Sequence, residues 1–268
     1  MRLNIGCRMQ FFAPVEIPVV LMLQPRSGLG QRVIQQSYKT EPCTPGVEYT
    51  DAYGNLCQRL IVSAGEFSLV VEAQVEAASS IDVDSSAAFV SVEQLPSSVL
   101  AFLLPSRYCE SDCLYELAAK VVGSAAPGYT QVERIRRWIY EEFQYQYGVT
   151  NASTSALDIV EQKQGVCRDF AHLGIALCRS LNIPARMVVG YLYGLEPMDQ
   201  HAWFEAYVGH RWYTFDATQA EPRGDRVAVA YGRDAADVAF ITQFGPLELK
   251  TMQVWVKSSE SSPEQDKS

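Results

Sequence analysis

No stretch of this sequence approaches the roughly 18 unbroken apolar residues of a membrane-spanning helix. The N-terminus lacks a signal peptide's apolar core, and the Val15–Leu23 run is broken by Glu16 and Pro18. Positive charge is scarce as well. The chain carries 22 basic against 31 acidic residues, a net charge of −9. Nucleic-acid binding requires clustered Lys and Arg, and anionic membranes repel such a surface, so neither partner is expected. Histidine is limited to three residues, which leaves little for a metal site. Cysteine is present in odd number, seven in all, so a disulfide framework is not expected and at least one thiol is free in a monomer. Together these features point to a cytoplasmic protein without a cofactor. What the 268 residues do contain is 48% hydrophobic side chains, enough for a sizeable core.

The first hundred residues read as strands. Leu3–Met9 alternates, Gln58–Ala64 and Phe67–Glu76 are rich in Val, Leu and Ile, and turn signals fall at Thr44-Pro45-Gly46 and Tyr53-Gly54-Asn55. This pattern suggests an antiparallel sandwich or barrel. After Pro96 the apolar period becomes helical, in Asp112–Val122 and Thr130–Tyr140. Ser155 to Asp158 opens a third helix with a capping-box pattern, and a fourth starts near Cys167 and runs to about Leu181. Strands follow at Arg186–Tyr193, His201–Val208 and Arg211–Ala217, and Leu247–Lys257 alternates like a closing strand. The expected organisation is an N-terminal β domain over residues 1–100, an α+β core over 101–257 and a polar, disordered tail over 258–268.

Cys167 sits where a loop becomes a helix, in Gly165-Val166-Cys167-Arg168-Asp169. Free N–H groups and the helix dipole at such a position favour a thiolate, and the same N–H groups can hold an oxyanion. Position alone does not separate this from a small buried cysteine.

The hairpin at His201–Ala217 supplies the rest. With Gly209-His210 as a two-residue turn, Val208 pairs with Arg211, Asp216 faces Trp203 and His201 faces Thr218. His201 and Asp216 are then diagonal neighbours on one face, while Ala202, Phe204, Ala206, Val208, Tyr213 and Phe215 line the other. A nucleophile, a base and an orienting carboxylate are thus available. His172 lies about 140° around the helix from Cys167 and His210 falls in the turn, so neither serves as the base. Trp203, Tyr207 and Trp212 on the His201 face either line a cleft or only cover the sheet. Arg168 is a candidate for contact with substrate.

At these residues the sequence resembles the transglutaminase-like superfamily, in particular bacterial members described as cysteine proteases. The matching stretches are GVCRDFAHLGIALCRSLNIPARMVVGYL, HAWFEAYV and RWYTFDAT. Tyr231–Phe240 resembles the family's closing segment, and the first hundred residues resemble its preceding β-rich domain. The resemblance implies a papain-like core, a cysteine-bearing helix packed on an antiparallel sheet. By it Cys167 is the nucleophile, His201 the general base and acid, and Asp216 the orienter. The implied chemistry is acyl transfer from a peptide or protein amide through a thioester to water or an amine. An oxyanion donor besides the Cys167 N–H is expected from Tyr145, Tyr147 or Gln164, with Tyr147 preferred. Replacing Asp216 is expected to hurt turnover more than folding. Calcium activation is not implied, since no acidic Asp/Asn/Gly loop of calcium-binding type occurs.

Two other classes compete. A catalytically silent binding or scaffolding module could keep the fold, although no triad member is replaced. A metal enzyme would have to build on Cys109 and Cys113, which have no histidine nearby in sequence.

Overall fold

Strict alternation makes the first strand. In β1 (Arg2–Ala13), Leu3, Ile5, Cys7, Met9 and Phe11 all point inward. A computed structural model describes residues 1–28 and 30–259; the tail expected from Ser258 lies, from residue 260 on, outside the described residues. Strands β2 (Ile17–Leu21), β3 (Gln31–Glu41), β4 (Gly46–Thr50), β5 (Leu56–Val62) and β6 (Gly65–Ala77) complete the N-terminal part. Short 3₁₀ turns lead into α1 (Tyr115–Val122), α2 (Tyr129–Glu142), β7 (Gln144–Tyr145), α3 (Ala156–Gln162) and β8 (Gln164–Gly165). Then come α4 (Cys167–Ser180), β9 (Ala185–Leu192), β10 (His201–Val208), β11 (Arg211–Phe215), β12 (Arg226–Gly232), β13 (Ile241–Gln243) and β14 (Glu248–Ser258).

The result is a mixed α+β fold with, among the described residues, three four-stranded antiparallel sheets. Two belong to the β-rich region, in the orders β14-β1-β6-β3 and β13-β2-β5-β4. They share a core in which Met9, Phe11 and Leu69 of one meet Val19, Leu21 and Leu60 of the other. The third sheet, β11-β10-β9-β12, carries the hairpin.

The closing strand expected within the residue 101–257 core lies elsewhere. β14 pairs with β1 from Leu3↔Ser258 to Phe12↔Glu248, and β13 pairs with β2. Both N-terminal sheets therefore take a strand from the far end of the chain. The reason is edge satisfaction: without β14 the long β1 would expose a row of unpaired backbone groups. The two cores are also joined, since Leu3 and Ile5 at one end of β1 pack into the helical core, while Cys7 to Phe11 pack into the sandwich.

Helix α4 is buried from Asp169 to Arg179 and lies on β10. Gly174 sets the approach, because a Cβ there would stand 2.5 Å from Phe204 Cε1. Gly174→Ala gains about 1 kcal/mol of helix propensity but overpacks a core position, which costs about 1–3 kcal/mol. The expected result is a lower denaturant midpoint; an unchanged or raised midpoint would contradict this packing.

Candidate active site

The loop-to-helix junction before α4 is built by one carboxylate. Asp169 Oδ2 accepts the Val166 N–H at 3.0 Å and the Thr150 hydroxyl at 2.7 Å, while Oδ1 takes two bonds from Arg168, at 3.0 and 2.7 Å. This reach-back cap from Asp169 to the Val166 N–H fixes the first turn, so Cys167 occupies the first helical position with its side chain partly exposed. Arg168 is committed to this work, since its Nη2 also donates to the Asn151 carbonyl at 2.8 Å.

The hairpin turns at Gly209 and His210, both with positive φ (55° and 63°), as a two-residue type I′ turn requires. Val208 pairs with Arg211 and Phe204 with Phe215. That register puts Phe204, Ala206 and Phe215 into the core under α4, and His201 beside Asp216 on the other face. His201 Nε2 lies 2.7 Å from Asp216 Oδ2, with the two residues only 3% and 4% exposed.

Asp216 is fully engaged. Its Oδ1 accepts the Thr218 N–H at 2.9 Å and the Thr218 hydroxyl at 2.7 Å, and its Oδ2 also forms an ion pair with Arg226 Nη1 at 2.8 Å. Arg136 of α2 holds the segment that follows, donating to the Gln219 carbonyl at 2.6 Å. Burial alone would raise the Asp216 carboxyl, but the charges of His201 and Arg226 hold it well below the usual carboxylate range. For His201 burial pulls the other way, toward neutrality. The Asp216 charge and hydrogen bond overcome it, and Cys167 is close enough to add to the effect, so the imidazolium persists to about 9. Asp216 occupies Nε2, which leaves Nδ1 for the sulfur.

The short parallel pair β7–β8 sets Tyr145 opposite Gly165, two residues before Cys167. The Cys167 sulfur and backbone N–H both act on the Tyr145 phenol, in opposite directions. Burial first, then the neighbouring Cys167 sulfur, push this phenol upward. Tyr147, the residue preferred from sequence, lies beyond the two-residue strand, 52% exposed, with its ring 5.5 Å from that of Tyr145. Tyr145, itself 41% exposed, is the tyrosine paired into the junction before Cys167, and both rings line the opening there. A cleft of about 380 Å³ opens here, bounded by Tyr145, Tyr147, Glu196, Asp199, His201 and Thr218.

Trp203 is 3% exposed, with its ring 6.0 Å from His201. It packs beside the imidazole and lines a second cavity rather than this cleft. His172 is buried, stacks on Tyr108 and accepts the Ala235 N–H at 3.1 Å; burial lowers it to about 4. Cys109 is buried and Cys113 exposed, and among the described residues no three His, Cys, Asp or Glu gather as a metal site. Arg226 has no counterpart in the reading from sequence. Its strand, β12, reaches Asp216, the residue after β11, across two intervening strands, and only the assembled sheet reveals that approach.

A cysteine at a helix start facing a hairpin histidine and carboxylate, on an α+β fold with a β-rich N-terminal region, defines a papain-like class of architecture. Residues 115–217 match the model of the transglutaminase-like superfamily, and residues 10–78 that of the bacterial transglutaminase-like N-terminal region. The chain belongs to the transglutaminase-like superfamily. The crystal structure of a candidate cysteine protease from Cytophaga hutchinsonii is similar, with a TM-score of 0.91 and 37% identity, covering 98% of this chain and 92% of that one. An uncharacterised protein of Mycobacterium leprae is 30% identical over 233 residues, 81% of this chain and 82% of that protein. Another, from Mycobacterium tuberculosis, is 28% identical over 248 residues, 81% of this chain and 77% of that protein.

Proposed function

We propose that the protein is a cysteine-dependent acyl-transfer enzyme that opens a peptide or protein amide through a thioester on Cys167. The observation that carries this reading is the 2.7 Å His201–Asp216 contact beside Cys167, with the imidazolium held to about 9. The Cys167 sulfur attacks the carbonyl carbon, and the developing oxyanion falls to the Cys167 N–H, with the Tyr145 hydroxyl as second donor. His201 gives its proton to the departing amine, and the C–N bond breaks to leave the thioester. Water or a second amine then attacks, His201 takes that nucleophile's proton, and the C–S bond breaks to release the sulfur as thiolate beside the restored imidazolium. Asp216 holds the ring in place and balances its charge throughout. The similarity to a candidate cysteine protease supports hydrolysis as the outcome. None of these steps needs a cofactor.

Seven free cysteines make the test internally controlled. Cys43 and Cys113 are exposed without such a partner, and Cys7, Cys57, Cys109 and Cys178 are buried. Iodoacetamide at neutral pH is expected to label Cys167 well ahead of Cys43 and Cys113, and His201→Ala should bring Cys167 to their level. Equal labelling of the three thiols in both proteins would sink the enzymatic reading and leave a binding module. Peptides and glutamine-containing proteins, tested with and without a primary amine, then separate hydrolysis from amine transfer.

A further inference from the structure

On the face of the hairpin sheet turned away from α4 lies a larger cavity, about 540 Å³. Its floor includes Arg186, Trp203, Glu205, Trp212 and Arg226, and residues 30–31 and 78–82 of the N-terminal region form its other wall. The cations here are already balanced: Arg186 lies 2.6 Å from Glu205, Arg211 pairs with Asp82, and Arg226 pairs with Asp216. Gln31 is spent on the backbone of Ala228, bonding both its carbonyl and its N–H at 2.8 Å. Arg186 Nη2 and Arg226 Nη1 each face a carboxylate without hydrogen-bond alignment, but two donors lack even that: the indole N–H of Trp203 and Arg226 Nη2, in residues 3% and 9% exposed. Arg226 Nε is satisfied by the Arg223 carbonyl at 3.0 Å, and its Nη1 faces Asp216 without hydrogen-bond alignment.

Both orphaned groups can only donate, so the partner they lack is an acceptor. The two are adjacent, with the Arg226 guanidinium 5.1 Å from the Trp203 ring centre. Nearby, the Arg186 guanidinium lies 4.2 Å from the Trp212 ring and 4.4 Å from the Tyr231 ring, which gives the cavity aromatic walls. Each donor left dry bears the desolvation penalty of a buried polar group without a partner. We propose that this cavity is a binding site for a small carboxylate with an aromatic or apolar body, its two oxygens taking the Trp203 N–H and Arg226 Nη2. The ligand and Asp216 then share one guanidinium, which places this site directly behind the carboxylate that orients His201.

Binding is read independently of turnover, so it stands or falls apart from the enzymatic reading. Phenylacetate and its neutral counterpart phenylacetamide are titrated calorimetrically into Cys167→Ala protein, which removes the reactive thiol. Phenylacetate is expected to bind in about the millimolar range, and the amide at least about tenfold more weakly, having lost a charged acceptor. Trp203→Phe keeps a ring and deletes the N–H; Arg226→Lys keeps a cation for Asp216 and deletes the second arm. Each should weaken phenylacetate by about tenfold, with thermal unfolding checking that the variant is folded. Should one fail to fold, the other carries the test. No heat with phenylacetate means that water alone fills the cavity, and overturns the proposal. Equal binding of acid and amide, or undiminished binding by a folded variant, also overturns it.

Discussion

Asp216→Asn is expected to lower turnover by about 10⁴-fold, the scale seen when a triad carboxylate becomes an amide. An amide can hold the imidazole only as an acceptor or a donor without charge, so the imidazolium loses the partner that lifts it from 6.5 to about 9. The alkaline edge of turnover, set in the native protein by His201 near 9, should move toward neutrality. The fold should suffer too. From sequence the carboxylate reads as an orienter whose loss spares folding, but burial beside Arg226 changes this. Arg226 would keep its charge with its ion partner gone, a loss of about 3–5 kcal/mol by the behaviour of broken buried pairs.

The pH dependence of stability gives a second, sharper reading. A group whose folded value is raised contributes fully below its unfolded value and loses that contribution as pH climbs through the folded one. For His201 that window runs from 6.5 to about 9, so native stability should decline across it. Asp216, held low in the fold, contributes above the ordinary carboxylate range and loses its contribution only in acid. In Asp216→Asn the alkaline decline should flatten. Chemical denaturation at several pH values measures it. A variant with unchanged pH dependence and native-like turnover would show that this carboxylate neither charges nor orients His201.

What the sequence makes legible follows from how local the cause is. The hairpin register rests on a two-residue turn and on alternation that buries Phe204, Ala206 and Phe215 together, all within 17 residues of chain. Gly209 with its neighbour His210 is a turn signal, and a slip by one residue would turn the apolar face outward. The helix start at Cys167 is legible too, although its decisive cap is the side chain of Asp169 reaching back to Val166. The rest depends on contacts that no short window contains. Tyr145 meets Gly165 through two residues of parallel pairing, too brief to leave a periodic trace. β12 reads as a featureless run, RVAVAYG, because a strand covered on both faces does not alternate. β14 does alternate, yet nothing in its own residues says that its partner is β1, at the other end of the chain.

Arg179→Met should be the most damaging single change to the fold away from the cleft. It follows eight buried residues of α4 and stands in the last turn, where a positive charge is ordinarily favourable. In the structure it is 3% exposed and donates five hydrogen bonds. Nε and Nη2 both bond the Ala185 carbonyl, at 3.1 and 2.8 Å; Nη1 bonds the Leu104 carbonyl and Ser106 Oγ, each at 3.0 Å; Nη2 also bonds the Arg233 carbonyl at 2.7 Å. One guanidinium thus joins the end of α4 to the start of β9, the segment before α1 and the loop after β12. Burial presses it toward deprotonation, but the surrounding acceptors match its planar fork. Methionine fills the volume and strands those carbonyls, with an expected loss of about 3–5 kcal/mol. Lysine has one nitrogen where five bonds are made, so Arg179→Lys should recover little of it. Urea denaturation measures both. The folded fraction of either variant should still label Cys167 at the native rate, because the Asp169 cap fixes the opposite end of α4. Loss below about 1 kcal/mol, or slow labelling of folded protein, would mean that the anchor of this helix lies elsewhere.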